Sequence, residues 1–154
     1  MLNQTSEHAI RALLVLAQQP AGERISAERI ARALGAPANY MAKTLNALVK
    51  QGLLSSSRGP AGGFALEVPA DRITLAEVAD AFRERRAASA CLLGDRPCSA
   101  DRPCPAHHHW VRLQEATSAP LRETTVADLL VPSDEVRVII GGPAALPVRP
   151  ANAA

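Results

Sequence analysis

The chain has 154 residues, of which 47% are hydrophobic, a size that allows one buried core with an appended arm and excludes two large domains. Its start shows no basic segment followed by an apolar run, and no stretch approaches the roughly 18 apolar residues of a membrane span, so we expect a cytoplasmic protein with no membrane association. The net charge is +2, but residues 1–66 carry seven basic and three acidic side chains, which favours a polyanion as partner of this half.

Two helices are predicted first. The first should have Thr5 or Ser6 as its cap and end near Pro20, and the second should start at Ser26 and end before Gly35. The apolar residues of the first helix recur at the spacing of one helix face, at Ile10, Leu13, Leu14 and Ala17. This periodicity predicts that the first helix is buried against the rest of the domain.

A third helix is predicted over residues 37–51, with Pro37 at its start. A short helix, a glycine-containing turn and an amphipathic second helix form the helix-turn-helix pattern. The polar face of this helix carries Asn39, Lys43, Asn46 and Lys50. Asparagine and lysine can read base edges or bind phosphates from the major groove, so these four are predicted DNA contacts, with an ordinary solvated surface as the alternative.

A β-hairpin is predicted next, because two apolar segments flank the glycine-rich residues 59–63. Arg58 and the glycines at the hairpin tip can approach the phosphates or the minor groove beside the third helix, which is the predicted recognition helix. We therefore predict Arg58, Gly62 and Gly63 as further DNA contacts. The expected fold is mainly α with a small β-hairpin wing, a winged helix-turn-helix domain over residues 1–82. No nucleotide-binding glycine pattern accompanies the pair Gly62–Gly63.

The C-terminal half is predicted to contain two more helices. Thr74 and Glu77 form a capping box that opens the fourth helix. A further helix should run from residue 105 or 106 past Trp110 toward residue 119, and Pro120 should end or kink it. We assign residues 105–131 to this dimerisation helix and a short turn, and 132–154 to a flexible tail with a strand expected near 136–140.

Residues 83–104 form a predicted loop that contains all three cysteines of the chain. Cys91, Cys98, Cys104 and His107 supply three thiolates and one imidazole, enough for a four-ligand metal site. Their spacing is wider than that of structural zinc knuckles and suits a loop around something larger than one ion. The alternative from spacing alone is a set of free or redox-paired thiols.

The combined pattern resembles the IscR and NsrR regulators, one family of bacterial winged-helix transcription factors, over roughly residues 2–131. The resemblance is carried by the segments 49–54 and 58–64 around the wing, and by the three-cysteine loop followed by a helix with Trp110. It implies a homodimer that binds a palindromic double-stranded DNA operator and senses through an iron–sulfur cluster held by the three cysteines.

Two branches of the family imply different fourth ligands. Residues 6–13 and 39–43 resemble the nitric-oxide-sensing NsrR branch, in which a carboxylate matched by Glu7 completes a [4Fe-4S] cluster from the partner subunit. His107 instead matches the histidine of the IscR branch, which holds a [2Fe-2S] cluster. The sequence departs from the family in the six residues between Cys91 and Cys98 and at Pro120, so both ligands stay open.

The expected function is a DNA-binding transcription regulator, most consistent with a repressor, that senses nitric oxide, redox or iron–sulfur status. Neither a nucleophile with an oriented base nor a carboxylate pair is recognisable, so we predict no enzyme. The main alternative is a zinc- or thiol-based redox sensor of the same fold without a cluster.

Overall fold

The computed structural model describes residues 2–59, 61–83, 91–93 and 98–130. Within these ranges the α-helices are α1 (Gln4–Ala17), α2 (Ala27–Leu34), α3 (Ala38–Lys50), α4 (Leu75–Ala81) and α5 (His107–Glu123). Strands β1 (Leu54–Ser57) and β2 (Gly63–Leu66) form an antiparallel hairpin, and short 3-10 helices lie at Ala70–Arg72 and Ala127–Leu129. The expected mainly α fold with a hairpin wing is confirmed. The predicted tail and its strand lie outside the described residues.

Helix α1 begins two or three residues earlier than the sequence suggested. Its cap is Asn3, whose side-chain oxygen accepts from the Ser6 backbone N–H at 2.8 Å. The prediction of Thr5 or Ser6 as cap is therefore wrong. Ser6 is buried and its hydroxyl also donates to the Asn3 side chain, at 2.9 Å. The Asn3 amide nitrogen in turn donates to the Phe82 carbonyl at 3.1 Å, which joins the start of α1 to the end of α4.

The predicted cap of α2, the glycine after it and the capping box of α4 are confirmed, whereas Pro37 is the cap of α3 and not its first helical residue. Ser26 accepts from the Arg29 N–H at 3.3 Å, and Gly35 takes the left-handed conformation with φ of 64°. Thr74 and Glu77 satisfy each other's backbone N–H groups, with Thr74 N to Glu77 Oε2 at 2.8 Å. These caps satisfy backbone donors that a helix leaves unpaired at its start.

The hydrophobic core lies between α1, α2, α3, α4 and the hairpin. Its largest fully buried apolar side chains are Leu13, Ile25, Ile30, Met41, Leu45, Leu48, Leu54, Ile73, Val78 and Val126. Val126 comes from the segment that follows α5. Its N–H donates to the Ile73 carbonyl at 2.8 Å, so the end of α5 is tied to the winged-helix body. No helix in the described ranges is both long and apolar enough to cross a membrane.

Helix α5 continues through Pro120 and ends at Glu123, so the prediction that this proline ends the helix is wrong. A proline removes one backbone N–H and crowds the preceding turn. Side chains around the proline join the adjacent turns: Thr117 donates to the Leu113 carbonyl at 3.0 Å, and Arg122 donates to the Ser118 hydroxyl at 3.0 Å. Arg122 also pairs with Glu115 one turn further back.

Candidate nucleic-acid interface and cysteine site

The polar stripe of α3 lies on its solvent side. Asn39, Lys43, Asn46 and Lys50 are all exposed, and their spacing of four, three and four residues keeps them on one helix face. The opposite face is held in the core by Met41, Leu45 and Leu48, each 0% exposed. The helix therefore presents a fixed row of donors and acceptors outward.

The surface of α3 and the wing carries the positive charges of Lys43, Lys50 and Arg58. Among the described residues, no ion pair involves these three side chains, and α3 contains no acidic residue. Such a cationic surface suits phosphate binding, because association with the polyanion releases counterions.

The hairpin is fixed to the body by a third extended segment. The Phe64 N–H donates to the Ile25 carbonyl at 2.8 Å, and the Ile25 N–H donates back to Phe64 at 3.0 Å. Ile25 directly precedes Ser26, the cap of α2. The wing and the helix-turn-helix are thus attached to the same short piece of chain.

Arg24 adds a side-chain brace to the wing that sequence reasoning missed. Its guanidinium donates to the Gly63 carbonyl and to the Ser55 hydroxyl, each at 3.3 Å. These contacts span 39 and 31 residues, and no local pattern around Arg24 signals them. The brace restricts the orientation of the hairpin relative to α2.

The wing glycines have steric reasons for their identity. A Cβ on Gly62 would lie 2.4 Å from the Ser57 carbonyl oxygen. A Cβ on Gly63, which has φ of 146°, would lie 2.6 Å from the backbone of Ile25. Arg58 is exposed at the start of the tip. DNA contact by the two glycines stays a prediction, and packing of the hairpin explains them independently.

A ring contact links α1 to the recognition helix. The imidazole of His8 meets the ring of Tyr40 edge to face, with centroids 5.4 Å apart. His8 Nδ1 also lies 2.9 Å from the Gln4 carbonyl oxygen, which fixes the ring against its own helix. Tyr40 stands beside Asn39, so the first turn of α3 is positioned partly by α1.

The four candidate ligands after residue 90 form two close pairs. The sulfur atoms of Cys91 and Cys104 lie 3.4 Å apart, and Cys98 Sγ lies 3.1 Å from His107 Nδ1. All four side chains are half-buried, and none of the three cysteines is in a disulfide. The Cys104 carbonyl accepts the His107 N–H at 2.9 Å, so the pairs lie at the start of α5.

These separations are close to those of two ligands on one tetrahedral metal. With metal–sulfur bonds of about 2.3 Å, two such sulfurs lie roughly 3.7 Å apart. Across the described residues of a single chain, no group of three or more His, Cys, Asp or Glu side chains could hold one ion. The chemistry of the donors therefore fits two half-sites, one per pair, better than a four-ligand site around one ion.

Glu7 lies exposed in the first turn of α1, outside both pairs. The cap residue of that helix, Asn3, contacts Phe82 at the end of α4. Glu7 therefore stands on a helix whose start is joined to the segment leading toward the cysteines.

Comparison of the sequence with protein families gives one match over nearly the whole described chain. The Rrf2 family, described as an iron-dependent transcriptional regulator, matches residues 2–132. A candidate HTH-type transcriptional regulator of Aquifex aeolicus is 33% identical over 132 residues, which cover 84% of this chain and 91% of that protein. The regulator IscR of Yersinia pseudotuberculosis is 29% identical over 137 residues, with 89% and 83% covered.

Solved structures give the same fold. CymR, the global cysteine regulator of Bacillus subtilis, superposes with a TM-score of 0.69 at 22% identity, covering 84% of this chain and 95% of that one. At this identity the likeness shows the winged-helix fold alone.

Proposed function

The chain belongs to the Rrf2 family of transcriptional regulators, and from this premise we propose that it is a cytoplasmic, homodimeric repressor that binds palindromic DNA and senses nitric oxide, redox or iron–sulfur status through an iron–sulfur cluster. The observation that carries the proposal is the pairing of its soft ligands: Cys91 with Cys104, and Cys98 with His107, at the start of α5.

The pairing favours a two-iron cluster over a single ion. Each iron of a [2Fe-2S] cluster takes two protein ligands, and mixed cysteine and histidine ligation is known for this cluster type. Cys91 and Cys104 would hold one iron, and Cys98 and His107 the other. When bound, the cluster supplies a site that nitric oxide and oxidants can attack. Ligation of a [4Fe-4S] cluster by Glu7 of a second subunit is the alternative within the same function.

The chain's own residues join this site to the DNA-binding half. The loop starts after α4, whose end is held to α1 through Asn3 and Phe82. It finishes at α5, whose far end is held to the body through Val126 and Ile73. Ligation stabilises the conformation in which the ligands converge, so gain or loss of the cluster biases the arrangement of α5 against the winged helix.

Anaerobic purification tests the cluster directly. We expect a coloured protein with visible absorbance and with iron and acid-labile sulfide in equal amounts, and we expect Cys91→Ala, Cys98→Ala and Cys104→Ala to lose the colour while keeping the far-ultraviolet circular dichroism of the parent. His107→Ala and Glu7→Ala separate the two ligand sets, because only loss of a true ligand changes the spectrum. His109→Ala, an exposed neighbour on the same turn, is the matched control.

A zinc- or thiol-based sensor is the second candidate, favoured by the direct contact of the Cys91 and Cys104 sulfurs. A colourless anaerobic protein containing zinc, or no metal, would support this candidate and contradict the cluster. Binding to duplex DNA selected from a random-sequence pool provides the functional readout. Equal affinity of all three cysteine variants and the anaerobic parent would exclude the loop as the switch.

A further inference from the structure

We propose that Cys91 and Cys104 form a reversible disulfide when the cofactor-free chain reacts with a hydroperoxide, while Cys98 stays outside this bond beside His107. The inference concerns the metal-free protein and goes beyond the proposed function, since it holds whether or not a cluster is the physiological cofactor.

Proximity is the first argument. The Cys91 and Cys104 sulfurs are 3.4 Å apart, and a disulfide has a sulfur–sulfur bond of about 2.05 Å. Neither residue belongs to a helix or strand, so closing the remaining distance does not require a change within a secondary-structure element. The two cysteines are separated by twelve residues in sequence, so spacing alone did not select this pair.

The position of Cys98 is the second argument. Its sulfur lies 3.1 Å from His107 Nδ1, where the imidazole nitrogen can accept the thiol hydrogen or donate to the thiolate. To join either other cysteine it would have to give up this contact. Cys98 is therefore expected to remain a thiol when one equivalent of oxidant is consumed.

The reaction balances with hydrogen peroxide as oxidant. One thiol of the pair loses its proton, the resulting thiolate attacks a peroxide oxygen, and the O–O bond breaks; a sulfenic acid forms, and the departing hydroxide takes up the thiol proton to give one water. The second thiol likewise loses its proton, and its thiolate attacks the sulfenic sulfur; the S–O bond breaks, the S–S bond forms, and the departing hydroxide takes up this proton to give a second water. Two electrons pass from the two sulfurs to one peroxide, and reduction by a dithiol reverses the bond.

The disulfide has a structural consequence for the loop. It closes the chain between residues 91 and 104 at the start of α5, because Cys104 is joined to His107 by a backbone hydrogen bond. It also removes two of the four proposed ligands, so the oxidised chain cannot take up a metal through this set until the bond is reduced. Oxidation would then hold the protein in its cofactor-free state.

The sequence allows the bond to be located without ambiguity. Cleavage before aspartate releases the three cysteines in three different peptides, residues 80–94, 95–100 and 101–127. The full-length protein is stripped of metal with a chelator under nitrogen, treated with one equivalent of hydrogen peroxide, alkylated, denatured and digested. We expect peptide 80–94 linked to 101–127, alkylated Cys98 in peptide 95–100, and migration at monomer mass on a non-reducing gel.

Matched variants sharpen this result. Cys98→Ser should form the same link with unchanged yield, whereas Cys91→Ser and Cys104→Ser should lose it, and dithiothreitol should restore all three thiols of the parent. A link to peptide 95–100, a link only between two chains, or three alkylated cysteines after peroxide treatment would overturn the proposal. Because the digest of the parent protein involves no substitution, its result does not depend on whether a variant folds. A cluster spectrum without the link contradicts this inference alone, and the link without a cluster contradicts the proposed cofactor alone.

Discussion

The two ends of the described chain differ in what surrounds their apolar side chains. In residues 2–83 the four helices α1 to α4 and the hairpin enclose a common core. Among the described residues from 91 onward, Val126 is the one buried side chain, and no residue of α5 is buried although all of them are described. Leu92, Leu93, Val111 and Leu113 are 44–65% exposed.

The N-terminal half therefore covers its apolar side chains within one chain, whereas the described residues from 91 onward leave several of theirs exposed. A helix of seventeen residues without a buried side chain obtains little stability from its own packing. The exposed apolar residues of α5 agree with the proposed dimer, and the paired ligands at its start agree with the proposed cofactor. The winged-helix half carries the predicted DNA contacts, and under the proposed function a second subunit and a cofactor complete the α5 half.

The contrast between the two halves would be wrong if replacing a leucine by alanine in either half had the same effect on unfolding and on self-association. Leu45→Ala should lower the free energy of unfolding by about 2–5 kcal/mol, because Leu45 is 0% exposed and the surrounding helices leave a cavity. Leu113→Ala, at 54% exposure, should instead weaken self-association. Urea unfolding and sedimentation at micromolar concentration measure the two effects. A monomeric parent protein would contradict the role given to α5.

Alanine substitutions at Gly63 in the wing and at Gly22 outside it test whether contact with Ile25 holds the wing. Gly63→Ala should cost roughly 3 kcal/mol, since its Cβ meets the Ile25 backbone and breaks the two hydrogen bonds with Phe64. Gly22→Ala is the control. Gly22 has φ of 81° with nothing within 4 Å of an added Cβ, so only backbone strain of about 1 kcal/mol is expected. Equal losses of unfolding free energy would show that the wing is not held by Ile25.

Separate substitutions of basic and of amide side chains test the predicted DNA contacts of α3 and the wing. Lys50→Ala and Arg58→Ala should each reduce the salt dependence of binding by about one unit and weaken all sequences alike. Asn46→Ala should relax base preference at a cost of ~1–3 kcal/mol. As a control, Arg72→Ala removes an exposed charge of the same half that belongs neither to α3 nor to the hairpin. If Arg72→Ala changes binding as much as Lys50→Ala, the interface has been placed wrongly.

Local patterns predicted most of the winged-helix half. The apolar period of α1 to α3, Gly35 after α2, the capping box of α4 and the glycine-rich hairpin each depend on residues within a few positions of one another. The predicted cap of α1 was wrong because Asn3, Thr5 and Ser6 are all residue types that can cap a helix, and the local sequence does not distinguish among them. Asn3 is selected through Phe82, which lies 79 residues away.

Long-range contacts account for what the sequence did not predict. Arg24 reaches the wing through two hydrogen bonds that no neighbouring residue signals. The pairing of Cys91 with Cys104 joins two residues with twelve others between them and is not encoded by local spacing. The prediction that Pro120 ends the helix was wrong, and side chains of Thr117 and Arg122 join adjacent turns around it; a kink at Pro120 stays a prediction.

The smallest expected effect concerns Thr125 and Asp128, in the segment that follows α5. The Thr125 hydroxyl and N–H both donate to Asp128 Oδ2 at 2.7 Å, and these two hydrogen bonds hold the pKa of Asp128 below its ordinary value of 3.8. A lowered pKa in the folded state means that this carboxylate contributes stability above pH 3.8, which is lost as the pH falls through the lowered value.

Thr125→Ala removes the larger cause, the hydroxyl, and should move the pKa of Asp128 back toward 3.8, whereas Thr125→Ser keeps the hydroxyl and should leave it lowered. Carboxyl chemical shifts followed by nuclear magnetic resonance between pH 2 and 6 measure both variants. Asp128→Asn should flatten the acid side of the stability profile below about pH 4 and leave neutral-pH DNA binding unchanged, since Asp128 lies outside α3 and the hairpin, which hold the predicted DNA contacts. An Asp128 that titrates alike in the parent and in Thr125→Ala would show that the hydroxyl does not hold the carboxylate. The segment would then be held by its backbone hydrogen bonds, among them those of Val126 with Ile73 and of Thr124 with Leu75.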